Sequence, residues 1–135
     1  MQGSASAIGF DSPPWVMLAD DDAVDRQLVT RAFRNHASNY KLRQVDSVPH
    51  ALELLHSATK PKLILLDTRL QGYPYVEVVK VIRHSDWRHV PIVLMSGADC
   101  EPSDCWSSGG DGCITKGVDA DRMMRHIGEV FQAWL

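Results

Sequence analysis

Apolar residues in this 135-residue chain fall into short blocks that stop at acids, a hydroxyl or a lysine. Trp15-Val16-Met17-Leu18-Ala19 runs into Asp20-Asp21-Asp22, and Leu63-Ile64-Leu65-Leu66 runs into Asp67. Ile92-Val93-Leu94-Met95 follows Pro91 and ends at Ser96-Gly97, while Cys113-Ile114-Thr115 is followed at once by Lys116. Short apolar blocks bounded by Pro, Gly or polar residues read as strands buried on both faces. Leu42 to Asp46 is more polar and predicts a strand near a sheet edge. Between these blocks the spacing is helical. Val24, Leu28, Val29, Ala32 and Phe33 predict an amphipathic helix to about His36, with Asp22 as its N-cap. Ser47 and Pro49 open a second helix carrying Ala51, Leu54 and Leu55. Pro74 reads as the first residue of a third, with Val76, Val79 and Ile82 inward. Residues 99–109 hold Pro102, several serines and a Gly-Gly exit, and make a poor helix. The last helix, from about Ala120, places Met123, Ile127, Val130, Phe131 and Trp134 on one face. Trp134 stands at its end, where it either covers the sheet core or reaches past the sheet into a dimer contact.

Strand and helix thus alternate five times. That alternation predicts an α/β fold with a parallel sheet, helices on both faces and right-handed crossovers. Five strands in a doubly wound sheet fit the flavodoxin-like (βα)5 order 2-1-3-4-5. The expected layout is a mobile tail over residues 1–13 and one domain over residues 14–135. In such a sheet ligands bind beyond the carboxyl ends of the strands, at the switch point between strands one and three. Asp20, Asp21 and Asp67 converge there, with Ser96 and Lys116 at the ends of strands four and five.

Composition narrows the function classes. A 44% hydrophobic content, 23% charge and net charge of −3 suit one globular domain and give no basic surface for nucleic acid. No apolar run approaches the roughly 20 residues that span a bilayer, and the first residues lack the pattern of a signal peptide. The expected location is therefore the cytoplasm. Cys100, Cys105 and Cys113 have no CxxC spacing and the six histidines are scattered, which argues against zinc. The three cysteines are expected to be reduced thiols.

Three carboxylates in one cleft need a cation, because two of them about 4 Å apart repel by about 4 kcal/mol at an effective dielectric near 20. An open site rich in carboxylate oxygens suits Mg²⁺. Lys116 adds a point charge and Ser96 a hydroxyl donor. This set is built for phosphoryl transfer, with a carboxylate able to act as nucleophile. Any one of these residues alone is commonplace; their joint arrival at neighbouring strand ends is what carries the reading.

Residues Val16 to Asp22, Leu63 to Asp67, Pro91 to Gly97 and Ile114 to Lys116 together resemble the receiver domain of two-component response regulators, from about Trp15 to Leu135. Cys113 to Lys116 and the closing Phe131-Gln132-Ala133-Trp134-Leu135 also resemble the single-domain regulators that accompany bacterial phytochrome kinases. The resemblance implies that Asp67 is the phosphoacceptor and that Asp20 and Asp21 hold Mg²⁺, with the main-chain carbonyl of Arg69 completing the metal site. Ser96 would hydrogen-bond the phosphoryl group and Lys116 would pair with it. A sensor histidine kinase or phosphotransfer protein would be the donor, and the chain would be a signalling module, not an enzyme acting on other molecules. Homodimerisation through the C-terminal helix is the expected self-contact.

Four positions depart from the family pattern. Gly117 replaces the proline usual after the lysine, Gln71 another common proline, and Tyr75 a common glycine. Cys113 occupies the aromatic switch position three residues before the lysine, so a different output is expected, through the surface of the helix between strands four and five or through dimerisation. These departures motivate one alternative, a degenerate receiver used as a scaffold without phosphorylation. A second is a haloacid-dehalogenase-type phosphatase with Asp20 as nucleophile and Asp22 as acid/base, which leaves Asp67 without a role.

Overall fold

The computed structural model describes residues 13–56, 59–72, 74–97, 107–117 and 119–135. The expected tail (residues 1–13) lies almost wholly outside them, as does most of the poor helix at 99–109. Five strands form one parallel sheet: β1 Trp15–Ala19, β2 Lys41–Val45, β3 Leu63–Asp67, β4 Ile92–Ser96 and β5 Gly112–Thr115. Their spatial order is β2-β1-β3-β4-β5, the flavodoxin-like order expected from the alternation. Among the described residues, α1 Ala23–His36, α2 Val48–Glu53 and α3 Tyr75–Arg83 lie between strands, and α4 Ala120–Trp134 follows β5. Leu54 and Leu55 belong to a short 3-10 turn that extends α2 to His56.

The central strands are apolar up to their last residues, Asp67 in β3 and Ser96 in β4, because both faces are covered. Along β1 and β3 successive side chains point to opposite sides, as strand geometry requires. Trp15, Met17, Ala19, Ile64 and Leu66 pack with Val48, Ala51, Val78, Val79 and Ile82 from α2 and α3. Val16, Leu18, Leu63 and Leu65 pack with Val29, Phe33, Met123, Ile127 and Phe131 from α1 and α4. Phe33 meets Phe131 edge-on at 5.7 Å, and Trp15 meets Trp87 edge-on at 5.8 Å on the other face. Each such side chain contributes roughly 1.5–3 kcal/mol on burial.

The caps fix where the helices start, and so what stands over the strand ends. Asp22 accepts a hydrogen bond from the Asp25 N–H at 2.9 Å, so α1 begins directly after the β1 acids. Ser47 and Asp119 cap α2 and α4 in the same way. Pro74 is the residue before α3 and not its first, and β2 runs one residue earlier than Leu42–Asp46.

Two inward assignments, Val24 and Val76, do not hold. Val24, at 65% exposure, faces solvent. It lies on the first turn of α1, where Val29, Ala32 and Phe33 further along the helix take the buried positions. Val76 is only half-buried, and Val78 takes the inward place on α3, while Val130 packs partly buried against the core on the expected face of α4. Trp134 is 40% exposed and lines a surface hollow with Cys113 and Ile114 of β5, so this ring does not close the core.

Candidate functional site

The switch point sets the carboxyl ends of β1 and β3 side by side, with Ala19 in register with Leu66. The first polar residue after each apolar block therefore enters the same cleft. Asp20 is fully buried; its Oδ1 accepts from the Asp22 N–H at 2.8 Å. Asp67, also buried, closes β3, and its Oδ1 accepts from the Arg69 N–H at 3.1 Å. Lys116 leaves the end of β5, with its N–H bonded to the Ser96 carbonyl. The ammonium then reaches across the sheet. Its Nζ lies 3.2 Å from Asp67 Oδ2, 3.3 Å from Asp20 Oδ2 and 2.7 Å from Asp25 Oδ2.

Asp25, the shortest of these contacts, had no place in the sequence reading. A signal existed: helical side chains lean toward the helix N-terminus, so an acid in the first turn of α1 reaches back over the strand ends. Its placement there depends on Asp22 being the cap, which the sequence had shown.

One oxygen from each of Asp20, Asp21 and Asp67 can be chosen so that all lie within 4.8 Å of one another. No other group of three metal-capable side chains gathers this closely among the described residues. The cleft above them, about 280 Å³, is lined by Asp21, Asp22, Asp25, Asp67, Arg69, Gly97 and Lys116. Four acids against two cations leave it acidic, and its donors are hard carboxylate oxygens, so the set fits a small divalent cation. Ser96 ends β4 half-buried beside Thr115 but is not among the residues lining the cleft; Gly97 takes that place. Arg69 lines the cleft and donates its N–H to Asp67.

The charges are strongly coupled. Burial pushes the Asp20 carboxyl up from its ordinary 3.8 to about 6; the Asp22 N–H and Lys116 pull it down, and Asp67 adds to the rise. Burial also works against the Lys116 ammonium, but the hydrogen bond to Asp25 and the charges of Asp20 and Asp67 outweigh it and hold the lysine above its usual range.

This fold is shared with solved receiver structures. The phosphorylated cyanobacterial phytochrome response regulator RcpA superimposes with a TM-score of 0.80 at 21% identity, covering 91% of this chain and 94% of that one. The Mn²⁺-bound response regulator Rcp1 gives 0.80 at 20% identity over 91% and 95%. The family model of the response regulator receiver domain matches residues 16–128, and the chain belongs to that family. It is a two-component signalling receiver. Among named relatives it is 29% identical over 130 residues to the two-component response regulator ORR11 of Oryza sativa subsp. indica, covering 92% of this chain and 87% of that protein. It is 30% identical over 134 residues to ARR6 of Arabidopsis thaliana, covering 90% and 71%.

The departures from the family pattern have local structural readings. Gly117 sits at φ +83, a left-handed conformation closed to proline, and no peptide bond among the described residues is cis. Tyr75 opens α3 and packs partly against the core. Cys113 is disulfide-bonded, which corrects the expectation of three reduced thiols; Cys100 and Cys105 lie outside the described residues. The cytoplasmic reading loses that support. Among the described residues no helix is long and apolar enough to cross a membrane.

Proposed function

We propose that the chain takes a phosphoryl group onto Asp67 from the phosphohistidine of a sensor histidine kinase or phosphotransfer protein, in a Mg²⁺-dependent reaction, and relays that state as a cytoplasmic signal. The observation that carries this is the ammonium of Lys116 standing 3.2 Å from Asp67 Oδ2 at the mouth of an acidic, open cleft. Asp67 is the nucleophile: a carboxylate oxygen forms the bond to phosphorus as the N–P bond breaks, and the imidazole leaves with its electron pair. Lys116 neutralises the phosphoryl oxygens, and Ser96 is the hydroxyl donor. Asp20, Asp21, Asp67 and the Arg69 carbonyl would hold Mg²⁺, which when bound supplies positive charge to the phosphoryl oxygens. Water attack on phosphorus then releases phosphate and returns the Asp67 carboxylate. The exposed Trp134 supports self-association through α4 as the accompanying change.

The phosphatase alternative has less support. Asp22, its acid/base, accepts from the Asp25 N–H as the cap of α1, and Asp20 is fully buried while Asp67 opens on the cleft. The scaffold alternative draws on the disulfide at Cys113, which cannot serve as an aromatic rotor. One experiment separates all three. The protein is incubated with acetyl phosphate and Mg²⁺, and the acid-labile adduct is mapped by mass spectrometry in wild type and Asp67→Asn, with sedimentation velocity on the same samples. The expected result is an adduct on Asp67 that Asp67→Asn abolishes. An adduct on Asp20 supports the phosphatase, and no adduct in wild type supports the scaffold.

A further inference from the structure

Lys116 is shared among three carboxylates, and its shortest contact is not with the residue it would serve. Nζ lies 2.7 Å from Asp25 Oδ2, against 3.2 Å for Asp67 and 3.3 Å for Asp20. Both members are shielded, the lysine side chain at 13% exposure and Asp25 at 16%, so water screens the pair weakly. Asp25 is also held in place. Its N–H is fixed by the Asp22 cap at 2.9 Å, and its side chain leans toward the strand ends from the first turn of α1. An ammonium has three N–H donors, and three carboxylates surround this one.

We propose that Asp25 is a positioning residue that competes with the phosphoryl group for Lys116 and so shortens the lifetime of phosphorylated Asp67. This rests on the phosphoacceptor reading given above. A phosphoryl group on Asp67 replaces the single charge of its carboxylate with a dianion, in a cleft that Asp21, Asp22 and Asp25 also line. The Lys116 ammonium is the counter-charge already paired with Asp67, and Asp25 holds part of that charge on the α1 side. Asp25 therefore favours the unphosphorylated state twice, by binding the lysine before phosphoryl arrival and by repelling the dianion afterwards. Removing its charge leaves the lysine to Asp20, Asp67 and the phosphoryl oxygens. The chemistry itself is unchanged: water attacks phosphorus, the P–O bond to Asp67 breaks, and the carboxylate leaves with the electron pair.

Asp25→Asn keeps the size of the side chain and the cap on its main-chain N–H, and Asp25→Glu restores the charge. Wild type and both variants are phosphorylated with acetyl phosphate and Mg²⁺. Decay of the Asp67 adduct is followed after the donor is removed, with thermal melts as the check on folding. Asp25→Asn is expected to lengthen the half-life on the order of fivefold, the scale of one poorly screened charge contact, and Asp25→Glu to return it toward wild type. A folded Asp25→Asn protein whose adduct decays at the wild-type rate, or faster, overturns the inference while leaving the phosphoacceptor reading intact. A wild-type protein that takes up no phosphoryl group overturns both.

Discussion

Burial makes the ionised Asp20 carboxyl costly, and its removal should stabilise the metal-free fold. The carboxyl is fully buried and titrates at about 6 instead of 3.8. At roughly 1.4 kcal/mol per pH unit, that rise corresponds to about 3 kcal/mol against the ionised form in the folded state. The sign follows from linkage. A group whose folded pKa is raised contributes stability below its unfolded value of 3.8, and that contribution is lost as pH climbs through about 6. Above that pH the wild type therefore carries the full penalty. Asp20→Asn is a near isostere of the protonated acid; it can still accept from the Asp22 N–H and from Lys116, and it does not titrate. Without divalent cations it should be more stable than wild type by about 3 kcal/mol at pH 7.5, a rise in melting temperature on the order of 10 °C for a domain of this size. The advantage should shrink toward pH 4.5. Urea titrations in a chelator at both pH values provide the assay. Added Mg²⁺ should narrow the gap by stabilising wild type more than the variant. A variant no more stable than wild type at pH 7.5, or one with the same advantage at both pH values, would refute the claim that burial of the Asp20 charge destabilises the apo site.

Two further predictions test the frame around the site. The Arg83 guanidinium donates to the carbonyls of Gly109, Arg88 and Val90 and pairs with Asp111 at 2.7 Å, tying the end of α3 to the loop that delivers β5. Arg83→Ala should cost roughly 2–4 kcal/mol in chemical denaturation, with Arg83→Lys recovering little because an ammonium cannot span those acceptors. Gly117 at φ +83 has open space around its missing Cβ, so Gly117→Ala should cost about 1 kcal/mol from backbone strain alone. Gly117→Pro should cost more and weaken acetyl-phosphate uptake, since proline cannot adopt that φ and the adjacent Lys116 would move; unchanged uptake and stability in Gly117→Pro would contradict the assigned backbone.

Most of the frame was legible because it depends on local pattern. Blocks such as Leu63–Leu66 and Ile92–Met95 can be apolar throughout only if covered on both sides, and that condition, repeated between helical stretches, leaves few topologies. The order β2-β1-β3-β4-β5 then brings Asp20, Asp67 and Lys116 together without further information. What failed was depth of burial along a helix face. Val24 has the spacing of a core residue, but spacing gives the side of a helix and not whether another layer packs against it there. Cys113 was misread for another reason. Odd count and spacing say nothing of which cysteines meet, and its bond depends on tertiary proximity. Asp25 is the instructive omission. The sequence placed Asp22 as the cap and so fixed Asp25 on the first turn, leaning toward the cleft. Strand-end residues were sought as the site, because an apolar block ending in an acid is conspicuous, and an acid within a helix reads as surface charge. A doubly wound sheet makes that distinction false at its switch point: the helix that follows β1 starts over the strand ends. Its first-turn side chains share the cleft with the strand-end acids, so Asp25 and Asp20 compete for one lysine from two elements.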